Sequence, residues 1–158
     1  MEKEILLLGN EALYQRSLPL LKEEMPSIQE TVKDLHDTLM AFRKKHGVGR
    51  AIAAPQIGVF KRLIYMHIDK PIVFINPTLI FEDDEMMEVL DDCMSFPNLL
   101  VKVNRYKRCT IHFKDLDFAD QSLAFEGSLS ELIQHEYDHL DGILATMRAK
   151  DNKAFVLK

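Results

Sequence analysis

The longest regular pattern of apolar positions lies in the N-terminal third of the chain and predicts an amphipathic helix over residues 27–46. Apolar residues recur there in alternating steps of four and three, which is the spacing of one helix face. These residues are Ile28, Val32, Leu35, Leu39 and Phe42. Basic side chains fill the last predicted turn and Gly47 follows, so the helix is expected to end at that glycine. The pattern indicates a packing role only, with His36 and His46 on the surface.

Shorter apolar runs, and alternation of apolar with polar residues, predict β-strands through the middle of the chain. The predicted strands cover residues 62–68, 72–75, 86–90, 101–105 and 109–113. Asn76 and Pro77 are expected to end the second strand, because proline cannot donate a hydrogen bond to a neighbouring strand. In the last strand Cys109 falls on the apolar side as a small core residue, and His112 falls on the polar side.

A segment rich in small residues, 47–58, joins the first helix to the first of these strands. Its sequence predicts a tight loop whose backbone can approach a ligand closely. It lacks the Gly-Lys-Ser/Thr ending of a phosphate-binding loop, so it does not indicate a nucleotide site.

A second helix is predicted near the C-terminal end and carries the candidate chemistry. Ser128 and Glu131 match the Ser-x-x-Glu capping box that often begins a helix, and Gly142 is expected to follow its end. Inside this helix stands the sequence His-Glu-Tyr-Asp-His. His135 and His139 are four residues apart, so they share one face and lie about 6 Å apart along the axis. This spacing lets two imidazoles bind one metal ion.

Glu136 supplies the second half of a hydrolytic site. It is turned about 100° from His135 and can reach a water on the metal without being a ligand, as a general base does. A histidine pair on a solvated helix face is the alternative. Apolar neighbours predict that the helix is partly buried; they are Leu132, Ile133, Leu140 and Ile143. A buried, unpaired glutamate is costly unless a nearby metal compensates it, which favours the metal site.

Length and composition narrow the class of protein. The 158 residues, 47% hydrophobic and 28% charged, predict one domain, 1–158. Its expected class is α+β, with antiparallel strands packed around the central metal-binding helix and the N-terminal helix outside. The net charge of −5 argues against nucleic-acid recognition, and no apolar run is long enough to cross a membrane. The start lacks a signal or transit pattern, so a cytoplasmic location is expected.

The chain contains two cysteines, Cys93 and Cys109. A disulfide between them is not favoured in a chain without an export signal. One of them could instead supply a metal thiolate.

Three stretches, in order and at similar separations, resemble the motifs of the peptide deformylases. They are Gly-Arg-Ala-Ile-Ala-Ala-Pro-Gln at 49–56, Asp-Asp-Cys-Met-Ser at 91–95 and Gln-His-Glu-Tyr-Asp-His-Leu-Asp-Gly at 134–142. The N-terminal segment and the helix after it are also similar, so the resemblance covers nearly the whole chain. It implies a hydrolase that removes the formyl group from the N-terminal formyl-methionine of nascent polypeptides, including those at the ribosome.

The resemblance also implies a ligand set and a mechanism. Cys93 would join His135 and His139 as the third metal ligand, with Fe2+ as the usual metal and Zn2+, Ni2+ or Co2+ as substitutes. Metal-bound water would attack the formyl carbon while Glu136 takes the water proton as general base.

Further roles follow from the same resemblance. The Gln56 side chain and the Met94 backbone N–H would hold the developing oxyanion. Asp91 would pair with Arg105 and so support the turn that carries the cysteine. The residues expected to contact substrate are Gly49, Arg50, Ala51, Val89, Asp92, Glu131 and Leu132.

Several positions depart from the family pattern. Asp92 stands where the family has glycine, Ala51 replaces the second glycine of the first motif, and Arg50 replaces an apolar residue. Ser128 and Glu131 occupy positions that are usually apolar and face the methionine side chain. Two further departures are Leu100, in place of a substrate-contacting arginine, and the end of the chain at Lys158, which predicts a short or absent C-terminal helix. These changes predict weak or redirected activity as an alternative to ordinary deformylation.

Two other functions are alternatives to the deformylase hypothesis. A zinc protease would take its third ligand downstream of the helix, where Asp151 is the candidate. A non-catalytic, metal-binding relative would keep the ligands and lose turnover.

Overall fold

The computed structural model describes all 158 residues and contains two α-helices and eight strands. The helices are Met25–His46 (α1) and Ser128–Leu140 (α2). The strands are Ala51–Ala53 (β1), Leu63–His67 (β2), Pro71–Ile80 (β3), Met86–Asp91 (β4), Leu99–Tyr106 (β5), Arg108–Lys114 (β6), Asp120–Glu126 (β7) and Phe155–Leu157 (β8). Four short 3-10 helices lie at Glu11–Tyr14, Lys22–Glu24, Ala54–Ile57 and Ala145–Arg148. Neither α-helix has an apolar stretch that could cross a lipid bilayer.

The strands form two antiparallel sheets with α2 packed between them. The five-stranded sheet has the order β1-β2-β3-β6-β7, and the three-stranded sheet has the order β4-β5-β8. Every strand pair in both sheets is antiparallel. Helix α2 contacts β1 and β7 of the larger sheet and β5 of the smaller one, while α1 packs against β1 and β2. The predicted α+β architecture, with antiparallel strands around the second helix, is therefore confirmed.

Helix α1 ends as its sequence predicts, at Gly47. Gly47 takes a left-handed conformation with φ 73°, which a glycine adopts without steric cost. His46 is exposed, as expected, whereas His36 is half-buried and its Nδ1 lies 2.6 Å from the Tyr65 hydroxyl. His36 therefore lies at the surface but is partly covered, because β2 places Tyr65 beside it.

Strand β3 runs through the point at which it was predicted to end. Asn76 has φ 48°, a conformation that asparagine tolerates better than most residues, and the register shifts between Ile75 and Thr78. The Asn76 side chain also accepts from the Leu20 N–H and donates to the Leu20 carbonyl, both at 2.8 Å. This local irregularity accommodates Pro77 within the strand, so the predicted break is wrong.

Helix α2 does not begin with the predicted capping box. Its N-cap is Gly127, with φ 65°, and no side chain caps it. Ser128 is exposed as the first helical residue, and the Glu131 N–H donates to the Gly127 carbonyl at 3.0 Å. Glu131 is therefore free to face a cleft, described below, instead of the helix end.

The end of α2 is held by close contact with the N-terminal segment. Gly142 has φ 72°, and a Cβ there would overlap the Tyr14 carbonyl oxygen. The Ser17 N–H donates to the Leu140 carbonyl at 2.8 Å, and the Arg62 side chain reaches the same oxygen at 3.0 Å. These contacts fix the position of the helix that carries the histidine pair.

Candidate metal centre and cleft

Three buried side chains bring metal-type donor atoms together between the two sheets. Cys93 lies in the turn after β4, while His135 and His139 share one face of α2. The His139 Nε2 lies 3.3 Å from the Cys93 Sγ and 3.2 Å from the His135 Nε2, and the three donor atoms all lie within 4.8 Å of one another. Cys109, by contrast, is buried in the core beside Ser130, and no disulfide is present.

The donor set fits a single divalent transition metal. Separations of this size are expected of atoms that bind one ion at about 2.0–2.3 Å. A thiolate with two imidazoles suits zinc, iron, nickel or cobalt, and three protein ligands leave a position for water or substrate. Asp151 is not among the converging donors, so the third ligand lies upstream of α2 and not downstream. The structure thus contains a metal-binding site of the kind that catalytic centres use.

A second layer of ion pairs orients this site. Asp91, the last residue of β4, places its Oδ1 2.8 Å from the His135 Nδ1. Its Oδ2 accepts from the Arg105 Nη2 at 2.7 Å and from Nε at 3.2 Å. The Arg105 Nη1 donates to Asp138 at 2.7 Å, and Arg148 donates to the same carboxylate. A ligand histidine fixed by a carboxylate in this way is typical of metal sites.

Burial and these charges set the protonation of the site. Burial disfavours the charged form of Asp91, but His135 and Arg105 outweigh it and lower the Asp91 pKa to about 2. Asp91 and Cys93 raise the pKa of His135 despite its burial, whereas burial and the charge of His135 lower the pKa of His139. Asp91 therefore stays ionised as the partner of His135.

Glu136 is buried beside the donors and faces the cleft. Its Oε2 has no hydrogen-bond partner. Burial, the largest effect, raises the Glu136 pKa to about 7, with nearby His135 opposing that rise. A carboxyl group with a pKa near neutrality can both accept and release a proton.

Gln56 and Met94 lie next to Cys93, in the 3-10 helix after β1 and in the turn after β4. The Gln56 Oε1 accepts from the Ala53 N–H at 3.0 Å, so its amide group is oriented with the NH2 inward. That NH2 donates to the Ser95 hydroxyl at 3.1 Å and lies 3.6 Å from the Cys93 Sγ. Met94 is buried at the cleft, and its backbone N–H makes no hydrogen bond within the protein. Both groups can donate to a ligand beside the thiolate.

Two of the three donors, Cys93 and His135, line a cleft of about 430 Å³ together with Glu136. Most of the predicted substrate residues line it, namely Gly49, Arg50, Ala51, Asp92, Glu131 and Leu132. Val89 does not; its half-buried side chain packs against the core cluster that contains Cys93, Val101 and Val103.

Sequence reasoning missed several residues of the cleft. These are Phe42, Arg43, Gly47, Val48, His67, Ile68 and Lys158. Phe42 belongs to the apolar stripe of α1, which predicts helix packing, and nothing in the local sequence marks Arg43 as a cleft residue. Lys158 reaches the cleft because β8 pairs with β5, and its Nζ lies 3.5 Å from Asp92. No local pattern signals that pairing.

Comparison with known proteins gives one consistent result. The sequence model of the polypeptide deformylase family matches residues 2–155. A peptide deformylase of Pseudothermotoga lettingae is 33% identical over 158 residues, covering 100% of this chain and 89% of the relative.

Solved structures agree with the sequence comparison. A peptide deformylase from Legionella pneumophila superposes with a TM-score of 0.88 at 30% identity, covering 98% of this chain and 89% of the other. One from Synechococcus elongatus in complex with actinonin superposes with a TM-score of 0.87 at 27% identity, covering 96% and 81%.

Proposed function

The chain belongs to the polypeptide deformylase family, and we propose that it removes the formyl group from N-formyl-methionyl peptides by metal-dependent hydrolysis. The observation that carries this proposal is the convergence of Cys93, His135 and His139 beside Glu136 at one cleft. The comparisons do not favour a non-catalytic relative, since the similar proteins are named as deformylases. Nascent polypeptides, including those at the ribosome, are the proposed substrates, and the cytoplasm is the proposed location.

We propose Fe2+ as the native metal, with Zn2+, Ni2+ or Co2+ as substitutes. Cys93, His135 and His139 would hold it, and Asp91 would keep His135 in the tautomer that presents its Nε2. When bound, such an ion acts as a Lewis acid that activates water and polarises the formyl oxygen. Arg105 supports the arrangement by neutralising Asp91 and Asp138, which are both buried.

Glu136 is the proposed general base and acid. Its Oε2 is buried, has no protein partner and faces the cleft, so it is available to a water molecule there. With a pKa near 7, it can take the proton of the attacking water and deliver it to the amine that leaves. This transfer completes hydrolysis to formate and a free N-terminal amine.

Gln56 and Met94 are the proposed oxyanion donors. The Gln56 amide is held from both ends by Ala53 and Ser95, so it needs little rearrangement to donate from its NH2. The free Met94 N–H supplies a second donor next to Cys93. Two fixed donors at the position where negative charge develops stabilise the transition state more than the ground state.

The cleft wall supplies the proposed substrate contacts. Gly49 and Arg50 precede β1, Ala51 is its first residue, Asp92 follows β4, and Glu131 and Leu132 lie on α2. Val89 is proposed to affect substrate binding indirectly, because it packs against the core cluster that contains Cys93.

The proposal is tested with protein prepared without oxygen. Metal content is measured first, and formate release from formyl-Met-Ala-Ser is then followed with Fe2+ or Ni2+ bound. Stoichiometric metal with sustained formate release is the expected result. Stoichiometric metal without formate release would overturn the proposed activity, and failure to bind any metal would overturn the assigned ligands.

A further inference from the structure

Two opposite charges in the cleft have no protein partner. Glu131 and Arg50 are both half-buried and both line the cleft, yet neither side chain makes an ion pair within 4.0 Å or a hydrogen bond. Outside the metal centre, the other charged side chains of the cleft are engaged. Asp92 lies 3.5 Å from the Lys158 Nζ, and Arg43 donates to two backbone carbonyls. A partly desolvated charge without a partner is costly, so both groups gain from a polar ligand.

Glu131 lies where a substrate must pass. It is one helical turn before His135, on the same face of α2 and about 6 Å away along the axis. A side chain next to the reacting carbon at the metal centre would therefore come within reach of it. Arg50, just before β1, lines the same cleft, and its charge acts on Glu131 and Glu136. Both side chains therefore line the cleft that Cys93, His135 and Glu136 also line.

We propose that Glu131 and Arg50 make this enzyme accept N-formyl peptides whose first side chain is a neutral amide at least as well as formyl-methionine. This inference rests on the proposed deformylase function. A glutamine side chain donates from its NH2 and accepts at its carbonyl, so it can satisfy Glu131 and Arg50 at once. Methionine has nearly the same length but offers no donor, and it would desolvate both charges without replacing their hydration.

The test compares three substrates that differ at the first residue only. The values of kcat/KM are measured for formyl-Gln-Ala-Ser, formyl-Met-Ala-Ser and formyl-norleucyl-Ala-Ser with the Ni2+-loaded enzyme. For the wild type, the glutamine peptide is expected to equal or exceed the other two. In Glu131→Leu the ratio of kcat/KM for the glutamine peptide to that for the norleucine peptide should fall about tenfold, which is the effect of one hydrogen bond to a charged group.

Two further variants separate recognition from loss of charge. Glu131→Gln keeps the shape and the acceptor, so it should retain most of the glutamine preference. Glu30→Leu removes an exposed carboxylate of α1 outside the cleft and should leave all three values unchanged. A shift of the same size in Glu30→Leu would overturn the assignment to Glu131.

Binding provides a readout that does not depend on turnover. Calorimetry with the unformylated peptides Gln-Ala-Ser and norleucyl-Ala-Ser should show a Kd ratio that favours glutamine in the wild type and collapses in Glu131→Leu. An equal ratio in both proteins, or no binding of either peptide, would overturn the inference even if formyl-Met-Ala-Ser is hydrolysed. Failure of all three formyl peptides to release formate, with the Kd ratio intact, would instead overturn the proposed function alone.

Discussion

The metal centre and the cleft wall beside it both include residues of helix α2, but charged side chains are paired in the centre and unpaired in the wall. In the metal centre Asp91 is buried and engages both His135 and Arg105. In the wall, Glu131 and Arg50 are half-buried and engage nothing. The first arrangement fixes the reacting groups through interlocking bonds, whereas the second leaves its charges for a ligand. His135 and Glu131 thus lie one turn apart on α2, yet only His135 has a charged protein partner.

The contrast bears on four of the six residues that depart from the deformylase pattern. Arg50, Ala51, Asp92 and Glu131 line the cleft, whereas Ser128 and Leu100 do not. A wall residue with few protein partners can change without disturbing its neighbours. A charged residue of the metal centre cannot change in this way, because its replacement would leave its buried partner's charge uncompensated.

The sharpest test of the centre is Glu136→Gln. Removing the base should lower kcat about a hundredfold to ten-thousandfold. Metal content should not change, because Glu136 is not among the converging donors. Steady-state kinetics with metal analysis measures both, and Glu126→Gln on exposed β7 is the matched control. A Glu136→Gln enzyme with more than a tenth of wild-type turnover would remove Glu136 from its role.

Arg105→Leu probes the buried bonds directly. Asp91 and Asp138 would lose the cation they share inside the protein, so the free energy of unfolding should fall by about 3–5 kcal/mol. Arg108→Leu is the exposed counterpart and removes ion pairs to Asp83, Glu85 and Glu126. Because water already solvates those groups, its denaturation midpoint should hardly move. Equal midpoint shifts in the two variants would show that the buried ion pairs of Arg105 contribute no more to stability than the exposed ones of Arg108.

Gln56→Glu removes one oxyanion donor and keeps the acceptor that Ala53 uses. The loss of the NH2 should lower kcat about a hundredfold to a thousandfold, with KM for formyl-Met-Ala-Ser changing far less. Separate determination of kcat and KM checks this, and a far-ultraviolet thermal melt controls for folding. A change confined to KM would show that Gln56 binds the ground state.

Asp92→Asn should have the smallest effect. The Asp92–Lys158 pair is half-exposed, and such pairs contribute at most about 1 kcal/mol to stability. Urea denaturation of the wild type and the variant measures the difference. A decrease in the free energy of unfolding as large as that of Arg105→Leu would mean that the ion pair in the cleft wall stabilises the fold as much as those of the metal centre.

Local pattern was enough to predict the two helices and the histidine pair that converges on one face of the second. The apolar stripe of α1 and the His-Glu-x-x-His sequence of α2 are periodic features, and each reports on its own element. Cys93 is 46 residues before His139, so only the resemblance to the deformylases joined it to the histidines.

What local pattern could not supply depends on neighbours distant in the chain. The segment predicted as a tight loop contains β1, which forms because Ala51–Ala53 pairs with β2. Strand β8 exists only as a partner of β5, and it brings Lys158 to the cleft. The sequence predicts a capping box for Glu131, but the N-cap residue is Gly127. The Glu131 carboxylate makes no capping bond and lines the cleft instead.

The most direct test of the central claim is a metal titration of the apo protein without oxygen, with formate release from formyl-Met-Ala-Ser measured at each point. The rate should rise linearly with added Fe2+ and reach a plateau at one equivalent per chain. The Cys93→Ala variant should show no such rise, because one of the three converging donors is gone. A rate that is independent of added metal, or one equivalent bound without formate release, would contradict a metal-dependent deformylase.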